Sequence, residues 1–204
     1  MFTGIVQGQG QIKSIFEGQN QRRFTIALPE AMSHKVDIGA SIAINGTCLT
    51  VTAQNGNLFN FDVIGQTLTL TNLGLLTQDD WVNVERSLKY GDEIGGHIIS
   101  GHVSTAITIS RIEHLDDNTT IWFDLPSIHK KHILPQGFIG LNGCSLTVGA
   151  VTDSEFCVCL IPETLRVTGF GKACVGNQVN MEIDHQTQTI VATVERVLAQ
   201  HTLN

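Results

Sequence analysis

Positive charge is scarce in this chain: 12 lysines and arginines stand against 19 carboxylates, a formal charge of −7. Without a basic patch or interleaved aromatics, nucleic acid is excluded as a partner. No apolar run approaches the roughly 18 residues needed to cross a bilayer. The opening Met1-Phe-Thr-Gly-Ile-Val6 has no basic n-region of a signal peptide. The expectation is a cytoplasmic protein with no membrane partner. CxxC spacing is absent and the five cysteines are odd in number, so reduced thiols are expected. Cys157 and Cys159, two apart in a strand-like run, are expected to pack together as small hydrophobes. His129 and His132 lack a neighbouring carboxylate or thiol and read as a solvated helix surface, so no metal site is expected. Gly-rich phosphate loops, a Ser-His-Asp order and paired carboxylates are missing too.

What is present is a duplication. The segment from Ala40 to Val51, with Asn45-Gly-Thr-Cys48 at its centre, recurs from Gly137 to Val148, an offset of 137 − 40 = 97. Six of the twelve aligned positions are identical, where residue usage gives roughly one in fifteen per position by chance. The same offset carries Gly4 onto Gly101, Leu28-Pro29 onto Leu125-Pro126, Gln66 onto Glu163 and Val82-Asn83 onto Val179-Asn180. A period this long describes two copies of one compact unit, not a solenoid.

Within copy one, β-rich runs separated by Gly, Asn and Asp turn signals predict strands at 3–9, 11–16, 23–28, 41–44, 47–53, 58–63 and 81–86. Copy two repeats them. Six or so short strands in about 97 residues predict an all-β fold of two tandem Greek-key barrels, closed so that no edge is exposed. Short helices are predicted at 29–35 and 126–131, each opening on proline, and at 66–71 and 163–168. Residues 1–97 form the first barrel, 98–184 the second, and 185–204 a C-terminal oligomerisation helix. Asp184 can cap that helix. Thr187, Ile190, Val194, Val197 and His201 recur on it at spacings of three and four, and the apolar seam of Ile190, Val194 and Val197 must be buried on the chain's own barrels or against copies of itself, of which self-association is expected.

Positions that differ between the copies mark candidate chemistry. Cys48 aligns with Ser145, and Ile5 with His102. If the first barrel of one subunit faces the second barrel of another, Cys48 comes opposite His102 and Ser145. Thiol, imidazole and hydroxyl together can move protons and supply a nucleophile near neutral pH. His97, beside Gly95-Gly96, reads as a supporting group.

The motifs Met1-Phe-Thr-Gly-Ile-Val6, Asn45-Gly-x-Cys-Leu-Thr-Val51, Thr71-Asn-Leu-Gly74, Val82-Asn-Val-Glu-Arg86, Gly95-Gly-His-x-x-x-Gly-His102, Ser145-Leu-Thr-Val148 and Ile161-Pro-Glu-Thr-Leu165 resemble the signatures of the riboflavin synthase alpha chain family. The resemblance runs from residue 1 to about 198. It implies a homotrimer of double six-stranded barrels, each barrel binding one 6,7-dimethyl-8-ribityllumazine, with the active site between the first barrel of one subunit and the second of its neighbour. Two lumazines then exchange a four-carbon unit, without cofactor or metal; an association with lumazine synthase is left open.

Carried over residue by residue, the resemblance assigns catalytic roles to Cys48, His102, Ser145, Thr147 and Asp184. It lines the first site with Gly4, Ile5, Val6, Cys48, Leu49, Thr50, Asp62, Val63, Ile64, Gly65, Gln66 and Thr67. The second is lined by Gly101, His102, Val103, Ser145, Leu146, Thr147, Cys159, Leu160, Ile161, Pro162, Glu163 and Thr164, with Gln136 near by. Backbone donors and acceptors on such strand ends suit a flat heterocycle. Gln66, Thr69, Gln136 and Asn142 depart from the family pattern, each removing a charge expected at or near a ligand site. The alternative reading is a lumazine- or flavin-binding protein without turnover; the retained Cys48, His102 and Ser145 favour the enzyme.

Overall fold

Alternating apolar residues close the chain into two barrels in the computed structural model, which describes residues 1–115 and 118–202. The first comprises β1 (Gly8–Gly18), β2 (Gln21–Ala27), β3 (Ser41–Ile44), β4 (Thr47–Asn55), β5 (Leu58–Ile64) and β6 (Trp81–Arg86), in the order β1-β2-β5-β4-β3-β6. The second repeats that order with β7 (Thr105–Leu115), β8 (Asn118–Asp124), β9 (Phe138–Leu141), β10 (Cys144–Val151), β11 (Glu155–Leu160) and β12 (Gln178–Ile183). Inward positions are large and apolar: Phe24 and Ile26 of β2 pair across from Phe61 and Phe59 of β5, all buried. Each such side chain contributes about 1.5–3 kcal/mol on burial. In the second barrel the rings of Phe123 and Phe156 stack 5.5 Å apart.

The predicted strand at 3–9 is replaced by an arm. β1 begins only at Gly8, because Gly4 turns the chain at φ +73 and the donors before it serve other partners. Phe2 forms an isolated antiparallel bridge with Ile99, its own equivalent in copy two (2 + 97 = 99). The two arms therefore pair with each other and cross between the barrels. The short helices form as α1 (Glu30–Ser33), α2 (Gly65–Leu70) and α3 (Pro162–Val167), but the one predicted at 126–131 is a 3-10 turn at Ser127–His132.

Between the barrels the Asn45-Gly46 and Asn142-Gly143 hairpin turns meet tip to tip. A Cβ on Gly46 would stand 2.5 Å from the Gly143 nitrogen. Asn83 donates to the carbonyl of Asn142 and Asn180 to that of Asn45, both at 2.9 Å. The side chain of Asn142 accepts from the Asn180 amide at 2.8 Å. Asn142 thus serves this seam. Asn72 adds bonds to Asn142 and to the Gln178 carbonyl that Gly169, its equivalent, cannot make.

Asp184 caps α4 (His185–Thr202), accepting the Thr187 amide at 2.8 Å and its hydroxyl at 2.7 Å. Ile190, Val194, Val197 and Leu198 stay exposed, while Glu195 pairs with Lys131. His129 and His132 are half-buried in the turn where Lys131 meets this helix, while Lys130 and Lys131 are exposed, so the expected solvated face holds for the two lysines and is corrected for the two histidines. Among the described residues no group of three His, Cys, Asp or Glu side chains could hold a metal, and no helix is long and apolar enough to cross a membrane. Cys157 is buried, its sulfur accepting the Ala150 amide. Cys159, however, is exposed: Phe156, Val158 and Leu160 take the inward positions, which leaves both cysteines outside and only Cys157 covered. The expected joint packing is corrected for Cys159.

Candidate active site

Each barrel is open on one side. The ladder between β4 and β5 ends at Val51↔Phe61, although β5 stays paired to β2 as far as Ile64 and β4 to β3 through Thr47. Cys48, Leu49 and Thr50 therefore face Asp62, Val63 and Ile64 across a slot. Val51 donates back to the Ala40 carbonyl at 2.9 Å, so strand alternation turns the N–H and C=O of Thr50 toward the slot. A bulge between Val51 and Ala53 splays the strands there. Copy two does the same: pairing of β10 with β11 ends at Val148↔Val158, leaving Ser145, Leu146 and Thr147 opposite Cys159, Leu160 and Ile161. The helices α2, with Gly65, Gln66 and Thr67, and α3, with Pro162, Glu163 and Thr164, close one end of each slot. Gln136 lies in the turn before β9, its amide donating to the Val148 carbonyl at 2.8 Å.

The third edge of each slot comes from the other copy's arm. Cys48 donates its amide to the Gly101 carbonyl at 2.9 Å, and Ser145 donates to the Gly4 carbonyl at 2.8 Å. Both glycines take left-handed φ values, and a Cβ on Gly101 would lie 2.6 Å from that of Cys48; only glycine allows this approach. The expected grouping is thereby corrected. Gly101, His102 and Val103 border the first slot with Cys48, whereas Gly4, Ile5 and Val6 border the second with Ser145. His102 follows Gly101 on the arm that meets Cys48 in the same chain.

The imidazole that meets Ser145 is His97. Its Nδ1 lies 2.6 Å from the Ser145 hydroxyl oxygen, which also accepts the His97 amide at 3.1 Å. In the tautomer with the His97 proton on Nε2, the Ser145 hydroxyl donates to Nδ1 and the imidazole acts as a base toward serine. The ring is buried and stacks on Phe138 at 5.0 Å. Burial pushes the His97 pKa below its usual range, with the charge of Asp184 acting the other way. Burial would raise the carboxyl of Asp184, but bonds from Thr187 and the nearby His97 outweigh it and hold it below the ordinary range. Ser145 and His97 thus stand paired beside the second slot, with Asp184 acting on the imidazole through its charge alone and Thr147 exposed on the strand of Ser145.

Two functional-looking carboxylates escaped the sequence reading. Glu85 accepts the Thr3 amide and hydroxyl and the Gly4 amide; Glu182, its equivalent (85 + 97 = 182), does the same for Ser100 and Gly101. Burial pushes Glu85 up, opposed by bonds from Thr3, Gly4 and Ile5. Cys144, buried with Glu85 near by, has its thiol pushed up to about 12. The signal was a Val-Asn-x-Glu run present in both copies.

Two six-stranded barrels, each leaving one strand pair unlaced beside a polar rim, define a tandem-barrel protein. Comparison with known proteins makes the class specific. The lumazine binding domain model matches residues 3–87 and again 100–184, and the chain belongs to that family. It is 53% identical over 98% of its length to the riboflavin synthase of Escherichia coli (strain K12), covering 94% of that protein. Against the riboflavin synthase of Bacillus subtilis (strain 168) identity is 37%, covering 90% of this chain and 85% of that one. Among solved structures, LumP complexed with riboflavin superposes with a TM-score of 0.84 at 28% identity, covering 91% of this chain and all of that one. LumP complexed with 6,7-dimethyl-8-(1'-D-ribityl) lumazine gives 0.83 at 27%.

Proposed function

We propose that the chain catalyses the dismutation of two 6,7-dimethyl-8-ribityllumazine molecules to riboflavin and 5-amino-6-ribitylamino-uracil. The observation that carries this reading is the retention of both rims: Cys48 with His102 at one slot, and Ser145 with His97 and Asp184 at the other. A lumazine 7-methyl group is acidic because its anion delocalises into the pyrimidine carbonyls. The protein then has to supply orientation, a proton acceptor and a nucleophile for the second ring. A neutral, buried His97 suits the acceptor's role through Ser145, and the half-buried Cys48 thiol suits addition.

The exposed stripe of Ile190, Val194 and Val197 supports assembly of the chain with copies of itself, and we take the assembly to be a trimer whose reaction site pairs the first slot of one subunit with the second of its neighbour. A cytoplasmic setting goes with the five free thiols. The rival reading, a lumazine carrier, draws on the likeness to the ligand-bound LumP structures. Incubating the protein with 6,7-dimethyl-8-ribityllumazine separates the two: riboflavin absorbance grows if the enzyme reading holds. Tight binding with an unchanged spectrum selects the carrier.

A further inference from the structure

Each arm is anchored in one barrel and touches the other. Glu85 stands in β6, in the wall of the first barrel, only 3% exposed. Its Oε1 accepts the Thr3 amide at 2.6 Å and the Thr3 hydroxyl at 2.8 Å, while Oε2 accepts the Gly4 amide at 3.1 Å. The very next carbonyl, that of Gly4, receives the amide of Ser145 in the second barrel. Glu182 in β12, in the second barrel, repeats the device with Ser100 at 2.7 Å twice and Gly101 at 3.0 Å. The Gly101 carbonyl receives the amide of Cys48 in the first barrel. On this side the relay has a further branch, since the Ser100 hydroxyl oxygen also accepts the His102 amide at 3.1 Å.

We propose that Glu85 and Glu182 are positioning residues acting across the barrels, each carboxylate fixing the arm that orients the reactive residue of the opposite slot. The assignment rests on the reading of Cys48 and Ser145 as reactive groups. A carboxylate is needed because three donors converge on it and it offers acceptors only. Glutamine has the same shape but turns an NH₂ toward donors, so one or two bonds are lost and the arm lifts. Ordinary packing would act differently: a disturbed wall residue affects its own barrel first.

The test is the alkylation rate of Cys48 by iodoacetamide in the full chain without ligand, mapped by mass spectrometry. Cys144, with its raised thiol pKa, provides a buried internal reference. Glu182→Gln should speed modification of Cys48 about fivefold, the scale of one net hydrogen bond lost. Glu85→Gln, in the same barrel as Cys48 but holding the arm that serves Ser145, should change that rate far less. Unchanged Cys48 reactivity in Glu182→Gln, or equal acceleration in both variants, overturns the proposal. If Cys144 opens in Glu182→Gln, showing a disrupted fold, Ser100→Ala decides instead: it keeps the carboxylate, removes one bond to it and the acceptor of His102, and should still accelerate Cys48 selectively. No acceleration there overturns the proposal too. Because the readout needs no turnover, a chain that proves to be a carrier still shows whether each arm is held from the opposite barrel.

Discussion

Phe2 and Ile99 exchange two backbone hydrogen bonds, of 2.8 and 3.1 Å, on the pseudo-twofold axis that relates the copies. Their side chains are buried with Ala43, and Cys48 packs against the cluster. This contact holds both arms at once. Phe2→Ala should therefore cost about 3–5 kcal/mol, the usual range for emptying a buried phenylalanine site. It should also weaken ligand binding at both slots. Thermal unfolding and fluorescence titration with lumazine check this; loss of affinity at one slot only would contradict the shared anchor.

The His97 imidazole, paired with Ser145 and within the field of Asp184, sets a pH dependence. Its folded pKa is depressed from the ordinary 6.5, so the folded chain binds fewer protons than the unfolded one just below that pH. The stability it contributes is complete above the unfolded value and is lost as pH falls through 6.5 toward the folded value. Activity should fall on an acid limb lying below the ordinary imidazole range. Asp184→Asn keeps a good helix cap but removes the charge that raises His97, and should move the limb to still lower pH. NMR titration of His97 alongside kcat/KM tests both; a limb that shifts upward rules out the assignment.

The proposed assembly through the exposed face of α4 is tested at Val194. Val194→Asp places a charge within the stripe of Ile190 and Val197 and should cost several kcal/mol where that stripe is buried between subunits. Sedimentation should show smaller species and turnover should fall with assembly. A variant that keeps the parental mass would remove this helix from the interface.

Mixed assemblies test whether the reaction site is shared. Because His102 borders the same slot as Cys48, the informative pair is Cys48→Ala with Ser145→Ala, one lesion per slot. Chains weak alone, unfolded together and refolded in equal amounts, should regain about a quarter of the parental activity, by random pairing around a closed ring. No recovery from well-assembled mixtures would place the chemistry within one chain.

Much of this was legible in the order of residues. Local signals carried the strands other than the one expected at 3–9, the Asn-Gly turns and the Asp184 cap, because alternation, turn chemistry and capping act over a few neighbouring residues. The 97-residue offset carried the duplication, and with it Cys48 and Ser145 as equivalent positions. Which arm serves which slot was decided only in three dimensions. Gly4 lies in copy one by sequence yet meets Ser145, since the Phe2–Ile99 bridge directs each arm over the other barrel. The same holds for the Ser145–His97 pair, set by a fold that brings together residues 48 apart, and for Glu85 and Glu182, whose donors lie 81 and 82 residues away. Sequence patterns report what a residue does to its neighbours along the chain. Hydrogen bonds across such separations exist only once both barrels have closed and their arms have crossed.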